Sequence, residues 1–304
     1  MKFNKYPIVP AVVTMFDKEG NIDEQAQRKM INFMIDKKVD GFYIGGATGE
    51  GFLMSKEERK KVLSICIEEI AGRVPAIAYI GANDTKTAVE LAKFAQDCGA
   101  DAISSVPPAN VDFQGIKKYY TALANSVKIP LLIYTNLTTR QLSVDEVVEL
   151  CNIPNCEGMK YTTHNHYNLR MLTLKLPNKL IFGGADEMVA SAFISNVTGI
   201  IGSTYNLTPE IFIDLREAFL KGDMQEFMRL NEACVCIVDA LIRCNFMASM
   251  KLMLKKIGIG QGFCREPYTS FDKDEQLEPI IQEFSIIKKK YNIKNIELFN
   301  KLCK

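Results

Sequence analysis

Apolar residues are grouped along the first two thirds of the chain in short runs rich in valine, isoleucine and aromatic side chains. Each run is followed by the mixed polar and apolar spacing of an amphipathic helix. The runs are almost continuously apolar rather than alternating, which is typical of parallel strands covered on both faces. Successive runs begin about 27 residues apart, close to the length of one strand–helix unit. The predicted strands are 8–16, 41–46, 75–81, 102–107, 130–135, 157–162, 180–186 and 198–204.

Polar residues that can cap a helix precede three of the predicted helices. Ser55 is followed by Glu58, and Ser143 by Glu146, which is the spacing of a capping box. Asp84 is a single N-cap residue at the start of another helix. Eight strand–helix units predict an α/β fold, a (β/α)8 TIM barrel. A doubly wound open sheet is the alternative, because periodicity alone does not show whether the sheet closes.

The strand pattern ends with the eighth unit, and the rest of the chain has a helical pattern. Amphipathic spacing predicts helices over 222–243, 246–257 and 274–291. We therefore expect a barrel over residues 1–221 and a C-terminal helical extension over residues 222–304, packed on the barrel as one structural unit.

The charge balance and the cysteine content restrict the partners and the compartment. Of the 304 residues, 37 are Lys or Arg and 36 are Asp or Glu, so the formal net charge is +1. Such a balance argues against nucleic acid or an acidic membrane surface as the main partner. No apolar stretch is long enough for a transmembrane helix, and the start has no signal-peptide cleavage site. The nine cysteines form no CxxC pair, so we expect reduced thiols in a cytoplasmic protein.

In such a barrel the active site lies at the carboxyl ends of the strands, so the residues there are the candidates for chemistry. The second strand ends in a glycine-rich turn, 45–51, which is either a plain tight turn or a cradle of backbone N–H groups for an anion. Lys160 in the sixth strand either reaches solvent or is a buried, unprotonated amine, which is the nucleophile of Schiff-base chemistry. Tyr134, at the end of the fifth strand, is either a packed aromatic residue or a proton donor facing that lysine.

The seventh and eighth strands end in further polar residues. Asp186 and Glu187 follow two glycines, where an acid either caps the next helix or accepts hydrogen bonds from a polyol. Ser203 belongs to a hydroxyl-rich segment after the eighth strand. His164 and His166 are the only histidines, and no third metal ligand can be assigned beside them. For these two we expect a solvated loop, with no metal site and no histidine-based catalysis.

Together these segments resemble the class I pyruvate-dependent aldolases of the dihydrodipicolinate synthase and N-acetylneuraminate lyase superfamily. The match is collinear from about residue 6 to residue 270, and it is most similar to the N-acetylneuraminate (sialic acid) lyase branch. The resemblance implies a homotetramer that needs no metal and no organic cofactor. It is carried by segments 45–52 (GGATGEGF), 158–162 (GMKYT), 184–187 (GADE), 202–206 (GSTYN) and 264–268 (CREPY).

The resemblance also implies a role for each candidate residue. Lys160 would form a Schiff base with the C2 keto group of the opened sugar acid. Tyr134 would relay the proton of the C4 hydroxyl as the C3–C4 bond breaks, giving pyruvate and N-acetylmannosamine. The backbone N–H groups of Ala47 and Thr48, with the Thr48 hydroxyl, would hold the pyruvyl carboxylate. The sugar part would contact Thr162, Gly184, Asp186, Glu187 and Ser203.

Three departures from the family pattern leave alternatives open. Ala47 stands where the family usually has Ser or Thr, and the loop 135–140 lacks the usual proline. Asn110 lies where many relatives place a tyrosine that enters the neighbouring subunit's site. The alternatives are another pyruvate lyase (a keto-deoxy sugar acid aldolase or dihydrodipicolinate synthase) or a catalytically silent relative that binds a keto acid or sugar acid. Arg140 is off the spacing at which dihydrodipicolinate synthase has its arginine, which argues against that enzyme.

Overall fold

Eight parallel strands form one sheet that curves into a nearly closed barrel, in a computed structural model that describes residues 3–140 and 142–303. The strands are β1 (Ile8–Pro10), β2 (Phe42–Ile44), β3 (Ala76–Tyr79), β4 (Ala102–Ser105), β5 (Leu131–Thr135), β6 (Cys156–Tyr161), β7 (Leu180–Gly183) and β8 (Gly199–Gly202). Each strand from β2 to β8 pairs with the next, and β8 pairs with β1. A parallel bridge between Ala11 and Tyr43 joins the two remaining edges. The predicted (β/α)8 barrel is therefore confirmed, and the open sheet is excluded.

A helix follows each strand on the outside of the barrel, and the expected caps are present. Ser55 and Glu58 form a complete capping box, as do Ser143 and Glu146. Asp84 caps its helix through a side-chain oxygen. The barrel helices are α1 (Glu24–Asp36), α2 (Lys56–Ile70), α3 (Thr85–Cys98), α4 (Phe113–Ser126), α5 (Val144–Cys151), α6 (His166–Lys175), α7 (Val189–Ile194) and α8 (Pro209–Lys221).

The packing on both sides of the sheet explains why the strands are continuously apolar. Side chains on one face pack against the helices, and those on the other face fill the interior of the barrel. Tyr43 and Tyr134 belong to the interior cluster, so the floor of the barrel's carboxyl end is aromatic. The interior cluster consists of Val9, Ala11, Tyr43, Ile77, Ala102, Leu132, Tyr134, Phe182 and Ile201.

The first strand is shorter than the prediction 8–16. It ends at Pro10, although Ala11 N and Val12 N still donate to Gly202 O and Tyr43 O before the chain continues to Phe16. Phe16 in this segment forms isolated bridges with Ile22 and with Phe263. The apolar run therefore continues because the segment is buried beneath the C-terminal part of the chain, not because the strand continues.

Helices pack against the barrel after α8. They are α9 (Met224–Arg243), α10 (Phe246–Lys256), α11 (Glu278–Lys290) and α12 (Glu297–Leu302). The predicted helix 274–291 begins with a short 3₁₀ turn before α11, and α12 was not predicted. Helix α9 contacts α8, α11 and the turn that follows β7. In the described part of the chain no single helix has the length and apolar character needed to cross a membrane. Helices α9 and α10 reach that length and apolar character only when they are counted together, and they are bent by 109° at their junction.

Candidate active site

Lys160 and Tyr134 lie side by side at the carboxyl end of the barrel. They are register partners on β6 and β5, so the two strands hold their side chains together. Only 6% of Lys160 is exposed, and its Nζ lies 4.4 Å from the centroid of the Tyr134 ring. The Tyr43 ring lies on another side, 4.8 Å from Nζ. The lysine thus ends in a nearly dry aromatic pocket and does not extend into solvent.

The surroundings change the acidity of the two tyrosines in opposite directions. Burial by itself would raise the pKa of Tyr134, but the charge of Lys160 and the polar groups of Asn136 and Thr162 outweigh it, so the pKa is lowered. Burial raises the pKa of Tyr43 well above its usual value. Tyr43 Oη also donates to Ser104 Oγ at 3.1 Å, and its ring is a wall of the pocket. Of the two, Tyr134 is the phenol suited to exchanging a proton.

Gly184, just after β7, has no side chain and so leaves room for the side chain of Lys160. A Cβ added at Gly184 would lie 2.0 Å from Thr162 Oγ1 and 3.1 Å from Lys160 Cε. The backbone N–H of Gly184 donates to Tyr161 O at 3.1 Å, which holds the segment against β6. Gly184 and Thr162 therefore lie beside the lysine, as the sequence predicts for residues at these strand ends.

The glycine-rich turn after β2 presents two backbone donors. Gly45 has φ +75°, which favours glycine, and a Cβ at Gly51 would lie 1.9 Å from Gly45 O. The N–H groups of Ala47 and Thr48 have no acceptor among the described residues. Thr48 Oγ1 lies 2.6 Å from Ser203 Oγ, which connects this turn to the segment after β8. The two free N–H groups, with the one hydroxyl hydrogen that this contact does not use, form a set of donors suited to a carboxylate.

A buried ion pair supports this turn from behind. Glu50 Oε1 lies 2.7 Å from Lys251 Nζ, and the two side chains are 0% and 1% exposed. Lys251, on α10, also donates to the carbonyl oxygens of Thr14 and Phe263. Glu50 Oε2 accepts from Arg265 N at 2.7 Å. Sequence reasoning missed this pair; an acid and a lysine in apolar segments were the only signal, and nothing local connects them.

Asp186 fixes the segment after β8. Its Oδ2 accepts from Ser203 N at 2.9 Å and from Thr204 N and Thr204 Oγ1, both at 2.8 Å. Burial raises the pKa of this carboxyl, and the bonds from Thr204 and the charge of Lys160 act against the rise. A Cβ at Gly202 would lie 1.8 Å from Asp186 Oδ1. Only glycine at position 202 therefore leaves room for the Asp186 carboxylate. The predicted residue is at the site, where it holds Ser203 in place.

Glu187 is turned toward the loop after β6. Its Oε1 lies 2.6 Å from His164 Nε2. The helix α7 starts at Val189 without a side-chain cap from any described residue, so neither acid has the capping role considered above. The expectation of a merely solvated loop for the histidines is incomplete, because His164 is paired and His166 is partly buried. Among the described residues no group of three or more His, Cys, Asp or Glu side chains is placed to hold a metal ion.

The loops that depart from the family pattern are ordered by their own contacts. Asn136 Oδ1 accepts from Thr138 N and Thr139 N at 2.9 and 3.0 Å, which closes a tight turn after β5. Arg140 Nη2 donates to Glu146 Oε1 at 2.8 Å. The arginine is thus paired with the first turn of α5.

The sequence and the structure are both similar to known lyases. A model of the dihydrodipicolinate synthetase family matches residues 4–283. The N-acetylneuraminate lyase of Clostridium perfringens is 37% identical over 289 residues, covering 93% of this chain and 99% of that protein. The structure of CdNal from Clostridium difficile, in complex with mannosamine, has a TM-score of 0.88 at 35% identity and covers 95% of this chain and 99% of its own. The N-acetylneuraminate lyase of Fusobacterium nucleatum complexed with pyruvate has a TM-score of 0.87 at 31% identity, covering 94% and 97%.

Proposed function

The chain belongs to the dihydrodipicolinate synthetase family, and from this premise we propose that it is a Schiff-base lyase that cleaves N-acetylneuraminate reversibly to pyruvate and N-acetylmannosamine. The observation that carries the proposal is the register pairing of Lys160 with Tyr134 in an aromatic pocket at the barrel's carboxyl end. Among the reactions of this family, this one is favoured because relatives named N-acetylneuraminate lyase match the chain over almost their whole length.

Lys160 carries the covalent steps. Its amine adds to the C2 carbonyl of the open-chain sugar acid, and loss of water gives an iminium ion. The electron pair of the C3–C4 bond moves into this iminium, forming an enamine, while the C4 hydroxyl loses its proton and becomes the aldehyde of N-acetylmannosamine. Protonation of the enamine at C3 and hydrolysis of the imine release pyruvate and restore the amine.

Tyr134 is the proton relay of the cleavage step. Its lowered pKa brings the phenol closer to the acidity that proton exchange near neutral pH requires. A positive charge is present beside Tyr134 in the iminium, and it is lost when the C3–C4 bond breaks and the neutral enamine forms. The tyrosine therefore responds to the state of the lysine, which suits a group that takes a proton in one direction and returns it in the other.

The remaining candidates bind substrate at opposite sides of Lys160. The N–H groups of Ala47 and Thr48 hold the pyruvyl carboxylate, and the Thr48 hydroxyl assists. Asp186 contributes by positioning Ser203. The sugar side is lined by Thr162, Gly184, Asp186, Glu187 and Ser203.

The reaction requires no metal and no organic cofactor, because the iminium on Lys160 is itself the electron sink. The partners of the chain in this proposal are pyruvate and a sugar acid, with a homotetramer in the cytoplasm as the assembly and the location. Dihydrodipicolinate synthase is disfavoured by Arg140, since its guanidinium is paired with Glu146. An aldehyde that carries a carboxylate would also meet the charge of Glu187.

Reductive trapping tests the Schiff base directly. With pyruvate and borohydride we expect one pyruvyl-derived mass on Lys160, located by peptide mass spectrometry. Lys160→Arg keeps the charge but cannot form the imine, so it should trap nothing, whereas Lys179→Ala, at the other end of the barrel, should trap normally. Pyruvate release from N-acetylneuraminate and from keto-deoxy sugar acids then identifies the substrate. An adduct on another lysine, or none, would overturn the lyase proposal, and cleavage of keto-deoxy sugar acids alone would replace its substrate.

A further inference from the structure

The His164–Glu187 pair joins the loop after β6 to the loop after β7. His164 Nε2 and Glu187 Oε1 are 2.6 Å apart, with side-chain exposures of 57% and 29%. The pair is four residues beyond Lys160 on one side and directly beyond Asp186 on the other. It therefore lies at the carboxyl end of the barrel, the end that holds Lys160, and both side chains are partly exposed to solvent.

The loop that carries His164 is well defined by its own hydrogen bonds. Asn165 N donates to Thr163 Oγ1 at 2.9 Å, and Asn165 Oδ1 caps α6 by accepting from Asn168 N at 3.1 Å. His166 N donates to His164 O at 3.1 Å. The imidazole is therefore presented from a fixed backbone, and its contact with Glu187 crosses between two elements of the barrel.

The chemistry of the two groups defines which atom donates. An ionised carboxylate only accepts hydrogen bonds, so the contact requires a hydrogen on Nε2 of His164. A neutral imidazole can supply it, and an imidazolium supplies it with a bond roughly twice as strong. The carboxylate has further lone pairs on both oxygens, so one donor fixes its orientation and leaves Oε2 available to a substrate hydroxyl.

We propose that His164 is a positioning residue that sets the enzyme's affinity for the polyol end of its substrate by holding Glu187 in one orientation. The inference rests on the proposed lyase function, in which Glu187 accepts hydroxyl groups of the sugar. Without His164 the carboxylate would lose the contact that fixes its orientation, and the sugar would bind more weakly.

Other titratable groups surround the pair and define the necessary controls. His166 is on the same loop, Asp186 precedes Glu187 in the turn after β7, and Lys160 and Tyr205 face them from β6 and from the segment after β8. Each variant is therefore compared with wild type at one pH, so that the charges of these groups are the same in both.

The test measures KM and kcat for N-acetylneuraminate, together with borohydride trapping of pyruvate. His164→Ala should raise KM about two- to fivefold, the range of a partly exposed ion pair. His164→Gln retains a neutral donor, so its KM should lie between those of wild type and His164→Ala. In both variants kcat and pyruvate trapping should stay within twofold of wild type.

Two further variants separate positioning from general structural damage. His166→Gln changes the only other histidine and should leave KM close to that of wild type. In Glu187→Gln, adding His164→Ala should have no further effect, because the histidine acts through the acid. An unchanged KM in His164→Ala, an additive double variant, or an equal loss of kcat and trapping would each overturn the inference. Failure of wild type to trap pyruvate or to cleave the sugar acid would instead overturn the lyase function itself.

Discussion

Replacing Lys251 with methionine should destabilise the protein and loosen the glycine-rich turn 45–51, the proposed binding site of the carboxylate. Methionine preserves most of the length of the side chain and removes its charge and its three donors. The change leaves Glu50 without its cation and the carbonyl oxygens of Thr14 and Phe263 without a donor. Glu50 cannot turn to water, since it is fully buried in a left-handed conformation with φ 56° and is also bonded to Arg265 N.

The burial of both partners determines the expected magnitude. Removing one partner of a buried ion pair costs about 3–5 kcal/mol, because a charge is left uncompensated. For a chain of 304 residues the entropy of unfolding is roughly 0.6 kcal/mol per kelvin, so the melting temperature should fall by about 5–8 °C. The double variant Glu50→Gln/Lys251→Met buries no charge. It should therefore be more stable than Lys251→Met, although it carries one more substitution.

Calorimetry or thermal denaturation followed by circular dichroism measures the stabilities. Lys117→Met is the matched control, since Lys117 forms an ion pair with Glu149 at 2.6 Å on the surface. Exposed pairs contribute little, so this variant should shift the melting temperature by less than about 2 °C. The concentration of pyruvate needed for half-maximal trapping should rise in Lys251→Met and not in the control. A double variant less stable than Lys251→Met, or normal pyruvate trapping, would refute the reasoning.

The remaining predictions concern the proposed proton relay and the turn proposed to bind the carboxylate. Tyr134→Phe should keep the packing of the ring and lower kcat roughly 10²–10⁴-fold, with a smaller effect on pyruvate trapping; nearly normal turnover would place the relay elsewhere. Thr48→Ala removes a hydroxyl that contacts Ser203, so the pyruvate concentration needed for half-maximal trapping should rise. Ala47→Ser adds at most one hydrogen bond, about 0.5–1.5 kcal/mol, and so should improve pyruvate affinity by less than about tenfold; a loss of trapping would mean that the turn holds a different ligand.

Features with local causes could be predicted from the sequence. Burial on both faces makes a strand continuously apolar, and the caps at Ser55 and Ser143 depend on an acid three residues away. The positions of Lys160 and Tyr134 at the site follow from the rule that strand ends converge in a barrel. That Lys160 and Tyr134 are direct register partners could not be predicted from the apolar pattern. The stagger of neighbouring strands depends on closure of the whole sheet.

Features with distant causes could not be predicted. Glu50 and Lys251 are 201 positions apart, and their contact exists only because α10 packs over the segment that follows β1. The pairing of His164 with Glu187 depends on how two loops extend from neighbouring strands. Helix α12 has six residues, too few to show an amphipathic period in the sequence. It is stabilised by the tertiary burial of Leu298 and Phe299.

The division between strand and loop residues has a consequence for how the site works. Lys160 and Tyr134 are fixed by two neighbouring strands and change position only if the sheet does. Glu187 and His164 lie on loops and contact each other through their side chains. In the proposed reaction we therefore expect substitutions at 164 and 187 to change sugar binding more than Schiff-base formation. Gly184 and Asp186 in the loop after β7 are exceptions, because Gly184 leaves room for Lys160 and Asp186 holds Ser203.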